Sequence, residues 1–272
     1  MTRLPKRHWA EMTWPDFAAA DMAQAIAVLP IAAIEQHGPH LPVGVDSFIA
    51  EGYLREVAAR LPDDLPVLFL PMQAIGKSNE HSAFPGTLTL SAETVIRVWT
   101  EIGESVRRTG CRKLVFVNSH GGNVAPMDIV ARDLRVRHAM LAVTCSWHRL
   151  GYPDGMLTAH EQQFGIHAGD AETSLMLVFR PDTVKSSEAR NFEPESARMA
   201  SAFKHLRATQ PVGFGWMSQD LSAAGAMGDA AAATSAKGAA AAEHGARAFV
   251  DLLRDVAAFD LARLADGPLA AG

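Results

Sequence analysis

The chain has 272 residues, a formal net charge of −5 and no cluster of lysines or arginines, so it carries no electrostatic footprint for nucleic acid. Two cysteines do not make a disulfide framework, no run of eighteen apolar residues could span a membrane, and the first ten residues hold no apolar signal-peptide core. A soluble, cytoplasmic protein of one large domain or two small ones is expected.

In chain order, Thr13-Trp14-Pro15-Asp16 reads as a helix start, with Thr as N-cap and an acid three residues on, and the helix runs to about Ala25. Trp9, Met12 and Trp14 are expected to pack. Ala27 to Ile34 is an apolar run that reads as a buried strand. Pro30 gives a ladder no donor, which predicts an edge position or a bulge. The stretch from Ile34 to Asp46, I-E-Q-H-G-P-H-L-P-V-G-V-D, follows at its carboxyl end. Open α/β sheets place ligands there. It concentrates Glu35, His37, His40 and Asp46 on a loop stiffened by proline and glycine, and carboxylate and imidazole are the usual ligands of zinc, iron or manganese. Asp46 can also cap a helix over residues 47–61.

Pro66 to Met72 is a second strand, followed by a long polar loop holding Lys77, Ser78, Asn79, Glu80 and His81 before Phe84-Pro85-Gly86-Thr87. Loops of that length in compact domains are usually functional. Ser91 opens a helix that Gly110 closes, with Ile96, Ile102 and Val106 as its buried stripe. Lys113 to Val117 is a third strand, running into Asn118-Ser119-His120-Gly121-Gly122-Asn123, a histidine beside glycines that allow close backbone approach. A helix over residues 124–138 and a fourth strand over 140–144 come next. After an irregular segment from His148 to Phe164, His167 precedes a mostly apolar helix starting at Gly169. Glu172 in that helix is costly to bury unless paired or bound to metal. An alanine-rich terminal helix over residues 230–264 is expected to kink at Gly238 or Gly245.

Strand–helix alternation predicts an α/β domain with a mainly parallel sheet and helices on both faces, a three-layer sandwich. Glu35, His37, Asp46, His120, His167 and Glu172 all fall at or beyond predicted strand–helix junctions, which share one sheet edge. A set rich in carboxylates and free of thiolates suits two divalent ions ~3.5–4 Å apart, bridged by an aspartate and a hydroxide, as in hydrolytic sites.

These residues also carry a resemblance. E-Q-H-G-P-H-L-P with Asp46, F-P-G-T at Phe84 to Thr87, N-S-H-G-G-N at Asn118 to Asn123 and H-A-G-D-A-E-T-S at His167 to Ser174 together resemble the creatininase (creatinine amidohydrolase) family from Trp14 into the alanine-rich tail. The resemblance implies one domain over residues 1–272, a two-metal centre, hydrolysis of a C–N bond in a small amide-like molecule, and a homohexamer. It implies that Glu35 and His120 hold one ion and His37 the other, with Asp46 between them. His167 would orient substrate or shuttle a proton, and Ser78, Trp147 and Gly121 would contact substrate. Zinc is the first choice of metal, with manganese or iron also suited. Creatininase has a tyrosine and a ligating glutamate where this chain has Gly121 and Gly122, so Glu172 is expected to complete the second ion's shell. The double glycine resembles relatives that deformylate a formamidopyrimidine or trim a peptide in mycofactocin maturation. A metal-dependent isomerase or lyase using Lys77 as base, and a non-catalytic module that binds a sugar or nucleotide, are the competing readings.

Overall fold

The computed structural model describes residues 4–268. Its elements are α1 (Trp14–Ala19), β1 (Ile26–Ile31), α2 (Val45–Ala58), β2 (Val67–Phe69), α3 (Ala92–Arg108), β3 (Lys113–Asn118), α4 (Val124–His138), β4 (Leu141–Ser146), α5 (Ala159–Phe164), α6 (Asp170–Phe179), β5 (Asn191–Phe192), α7 (Glu195–Ala202), α8 (Ser218–Leu221), β6 (Gly228–Asp229) and α9 (Ser235–Ala258). Strands β2-β1-β3-β4 form one wholly parallel sheet in that order, and β5 and β6 make a small antiparallel pair.

The pleat sorts the apolar runs into two cores. Ile26, Val28, Val115 and Val117 point to one face and meet Tyr53, Met176, Phe249 and Leu253 from α2, α6 and α9. Ala27, Leu29, Ile31, Leu114 and Phe116 point to the other and meet Val95, Trp99, Val130 and Leu134 from α3 and α4. Burial on both faces is why β1 and β3 read as continuous apolar runs and not as alternation. The result is the expected three-layer α/β sandwich.

Several local expectations change. Of the two settings expected for Pro30, the edge is excluded because β1 is internal, between β2 and β3, whereas the bulge is present: Val28 pairs with Phe69 but Ile31 with Gln73, one residue more on the β2 side. The Pro30 carbonyl accepts from the Gln73 N–H at 2.9 Å, on the side where β2 has already ended at Phe69. Its missing donor therefore falls in a lapse of the ladder. The terminal helix runs unbroken through Gly238 and Gly245. A Cβ at Gly238 would lie 1.9 Å from the Ser174 carbonyl oxygen, and one at Gly245 would lie 2.6 Å from the Tyr53 ring, so these glycines permit close helix packing. The buried stripe of α3 is Val95, Trp99 and Val106, with Ile96 and Ile102 at its margin. α1 stops at Ala19, and Trp14 is 81% exposed instead of packed. Among the described residues no helix is long and apolar enough to cross a membrane.

Candidate metal centre

The chain leaves β1 toward α2 on one face of the sheet and leaves β3 toward α4 on the other. Such a divergence between adjacent strands opens a crevice at their carboxyl ends. Glu35, His37 and Asp46 follow β1, and His120 follows β3. His167 and Glu172, expected at a strand–helix junction, come from elsewhere. They lie just before and within the first turn of α6, which no sheet strand precedes, and α6 reaches the crevice by packing on α2 and α9. The His167 backbone is pinned by paired hydrogen bonds with Met227. Next to it Ala168 sits at φ +57°, a left-handed conformation disfavoured in residues with a side chain, and its N–H donates to Glu172 Oε2 at 2.6 Å.

From sequence, Asp46 could cap α2 as well as bind metal. The cap position is Gly44, and Asp46 lies inside the first turn, so its carboxylate is not used for capping. Asp46 Oδ1 is 3.8 Å from His37 Nε2, and Asp46 Oδ2 is 3.7 Å from His120 Nδ1. On one side of it, Glu35 Oε2 is 3.1 Å from His120 Nδ1. On the other, Glu172 Oε2 is 3.8 Å from His37 Nε2. Glu35, Asp46 and His120 thus form one group whose ligand atoms converge, His37, Asp46 and Glu172 form a second, and Glu35, His37 and His167 form a third. Asp46 joins the first two. Glu35 Oε1, His37 Nε2 and Asp46 Oδ2 are buried and have no hydrogen-bond partner. Buried polar atoms are rarely left so, and three of them facing one crevice is the arrangement that cations satisfy.

Backbone carbonyls, which only accept, fix the proton positions on three imidazoles. His37 Nδ1–H donates to the Glu35 carbonyl at 3.0 Å, which leaves the Nε2 lone pair facing the carboxylates. His120 Nε2–H donates to the Lys77 carbonyl at 3.0 Å and turns Nδ1 inward. His167 Nε2–H donates to the Gln36 carbonyl at 2.7 Å, so its Nδ1 lone pair faces Glu35 Oε1 at 3.6 Å.

Burial and mutual repulsion then set the charges. Burial, reinforced by Glu35, pushes the Asp46 carboxyl well above its ordinary range. Burial also raises Glu35, but His120 beside it outweighs that and holds Glu35 low. Against its own desolvation, His120 is pushed well up by Glu35. Burial and the neighbouring His167 keep His37 neutral. His120 Nδ1 is therefore where a proton and a cation compete for the same lone pair.

Two expected substrate contacts lie elsewhere. Ser78 is fully buried behind Glu35 and donates its hydroxyl to Glu35 Oε2. Trp147 stacks on Tyr53 at 4.3 Å and against Phe249 at 4.9 Å, inside the core. The third, Gly121, does line the cavity, and a Cβ there would meet nothing within 4 Å. A Cβ at Gly122 would instead lie 2.3 Å from Glu80 Oε1 and 2.5 Å from His120 Nε2. The glycine leaves room for Glu80, which stands 3.4 Å from His120 Nε2 and supports that ring from behind. Glu80, His81 and Gln36 were not singled out from sequence. The signal for Glu80 and His81 was their place in a long polar loop, and for Gln36 its place between Glu35 and His37. Lys77, the base an isomerase would need, is paired with Glu80 at 3.5 Å.

The site opens into a cavity of about 1000 Å³. Its floor includes Glu35, His120 and Glu172, and its outer wall includes Tyr152, Phe214 and Trp216.

The sequence profile of the Creatininase (creatinine amidohydrolase) family matches residues 10–253. The mycofactocin precursor peptide peptidase of Mycobacterium tuberculosis is 36% identical over 169 residues, 60% of this chain and 62% of that protein, so the match spans less than two thirds of its length. The peptidase of the same description from Mycobacterium ulcerans is 31% identical over 266 residues, 94% of this chain and 88% of that protein. The creatinine amidohydrolase of Pseudomonas putida is 31% identical over 191 residues, 64% of this chain and 72% of that protein. A solved zinc–zinc form of a creatininase mutant superposes with a TM-score of 0.71 at 25% identity, covering 92% of this chain and 98% of that one.

Proposed function

The chain belongs to the creatininase family, in which relatives are described as a creatinine amidohydrolase and as precursor peptide peptidases, and from that premise we propose that it is a metal-dependent amidohydrolase. The supporting observation is the pair of convergent ligand groups that share Asp46, together with the three buried atoms there that lack partners. Glu35, Asp46 and His120 would hold one divalent ion, and His37, Asp46 and Glu172 a second. Two such ions, zinc before manganese or iron, would supply Lewis-acid polarisation of a carbonyl and water of lowered pKa.

The chain's own groups do the rest. His167 Nδ1 presents a lone pair to the cleft, so it accepts a proton from the attacking water and returns it to the departing nitrogen. The Gln36 carbonyl on its far nitrogen keeps the ring in the tautomer this needs. A cavity of about 1000 Å³ far exceeds what a molecule the size of creatinine fills. That space, open over Gly121, favours a peptide-like or extended amide substrate, as do the peptidases among the relatives. We take the chain as one catalytic unit, soluble in the cytoplasm and acting as a hexamer. Light scattering tests the assembly, and a monomer at micromolar concentration would remove the hexamer.

The functional test starts from metal-free protein reloaded with zinc or manganese. Mass spectrometry should count about two ions per chain. The loaded protein should hydrolyse members of a panel of formamides, cyclic amides and short peptides, with the peptides cleaved best. Glu172→Gln should weaken one of the two sites by more than the 10–100-fold typical of a residue that only supports a ligand. Full activity with a single ion, or a doubly loaded protein inert on the whole panel, would overturn the proposal.

A further inference from the structure

We propose that His81 donates a hydrogen bond from Nε2–H to the substrate oxygen that gains negative charge, and that Gln36 is the positioning residue that keeps the proton there. His81 is buried among ionisable groups, lines the cavity, and belongs to none of the three ligand groups. Its orientation follows from the Gln36 side chain. Gln36 Oε1 accepts from the Gly38 N–H at 2.9 Å, and Gln36 Nε2 donates to the Gly225 carbonyl at 3.0 Å. Those two partners, one a donor only and the other an acceptor only, fix which end of the amide is nitrogen. Gln36 Nε2 is also 2.7 Å from His81 Nδ1, nearer than its two other neighbours: Ser218 Oγ at 3.1 Å, which itself donates to the Gly225 carbonyl, and His167 Nε2 at 3.3 Å, whose proton goes to the Gln36 carbonyl. An amide nitrogen can only donate, so His81 Nδ1 accepts and the ring's proton sits on Nε2.

Nε2 faces the cleft, 3.6 Å from Glu35 Oε1. That is too long for a hydrogen bond, so the donor is not consumed by Glu35. Metal ligation by His81 would require a bare Nε2 and a proton on Nδ1, where it would meet the amide N–H donor to donor. His167 Nδ1 lies at the same 3.6 Å from the same carboxylate oxygen but carries a lone pair. The two rings stand with centroids 4.3 Å apart. The crevice is therefore flanked by one imidazole that accepts and one that donates, both oriented by Gln36, through its carbonyl and its side chain respectively. Preorganised donors aimed at developing negative charge are a large part of acyl-transfer catalysis. Only the identity of the oxygen rests on the amidohydrolase reading, and the proton stays on His81 throughout.

The test has two arms, both on full-length protein. Long-range ¹⁵N NMR of the imidazoles, with and without zinc, should show His81 protonated on Nε2, its resonances assigned by through-bond correlation to the His81 backbone. Calorimetry then measures methylphosphonate, a tetrahedral anion, binding to zinc-loaded protein. His81→Phe should bind it on the order of 10–100-fold more weakly while retaining two zinc ions. His81→Gln, whose amide can place an N–H near the same point, should recover part of that loss. A proton on Nδ1 in the wild-type spectrum overturns the proposal even if the variants do not fold. Unchanged methylphosphonate affinity, or zinc lost in step with it, also overturns it. If both arms hold while the amide panel shows no hydrolysis, the amidohydrolase reading fails and the donor role of His81 stands.

Discussion

The inner and outer walls of the cavity are built in opposite ways. The inner wall hangs from the ends of β1 and β3: Glu35, His37, Asp46 and His120 are at most 5% exposed, and each imidazole is held by a backbone carbonyl on its far nitrogen. The outer wall, residues 148–157 and 209–216, lies outside the sheet in mostly irregular backbone, and Phe214 on it is 38% exposed. Ligand atoms must be held to within a fraction of an ångström, which only packed and hydrogen-bonded surroundings do. Substrate contacts can be exchanged on loops at small cost to the fold. Relatives described as acting on molecules as different as creatinine and a precursor peptide fit that division.

Substitutions on the two walls should therefore differ in kind as well as size. The largest effect is expected at Asp46, which is shared by the ligand groups proposed for the two ions. Asp46→Asn keeps the shape and removes the charge, so both ions should bind weakly and turnover should fall by at least ~10³-fold, as when a transition-state stabiliser is lost. Metal counting after gel filtration checks this, and an Asp46→Asn protein that retains two ions would break the contrast. His167→Ala comes next. It should lose ~10²–10⁴-fold in turnover, the range of an acid–base group, while keeping its metal. Equal loss of metal and activity would make His167 a ligand.

Phe214→Ala, on the outer wall, should leave metal content alone and raise KM for a peptide substrate by roughly 10-fold, about what a lost apolar contact costs, with little change in kcat. A fall in kcat of the same size would place Phe214 with the inner wall. The smallest effect is one of stability. His40 is buried under the inner loop, bonded to Thr173 Oγ1 at 3.0 Å and stacked on Phe192. Burial lowers it to about 4 from its ordinary 6.5. The unfolded chain then binds more protons between those values, so this contribution is present above pH 6.5 and is lost as pH falls toward 4. Urea unfolding of metal-free protein should show His40→Gln removing at most one proton's worth of that slope. An unchanged slope would mean that His40 titrates normally.

Much of the inner wall was legible in the chain itself. Apolar runs ending in Glu35 and in Asn118 announce strand ends, proline and glycine announce loops, and the acids and histidines there group by their places at those ends. The helices over 92–108, 124–138 and 170–179 follow from periodicity, Ser91 and Gly110. This information is local: it depends on side-chain type and on periods of two or 3.6 residues.

Other features depend on direction, and direction in irregular backbone has no period. Ser78 turned behind Glu35, and Trp147 turned into the core against Tyr53. Pro30 sits inside the sheet because β2 is too short to need its donor. Gly122 exists for Glu80, a residue 42 positions away. The proton on His81 is set by an amide fixed in turn by Gly38 and Gly225. The sequence alone determined which chemical groups are present and which strand ends carry most of them. Tertiary packing alone decided where each nitrogen and oxygen points, because that depends on contacts between residues far apart in the chain.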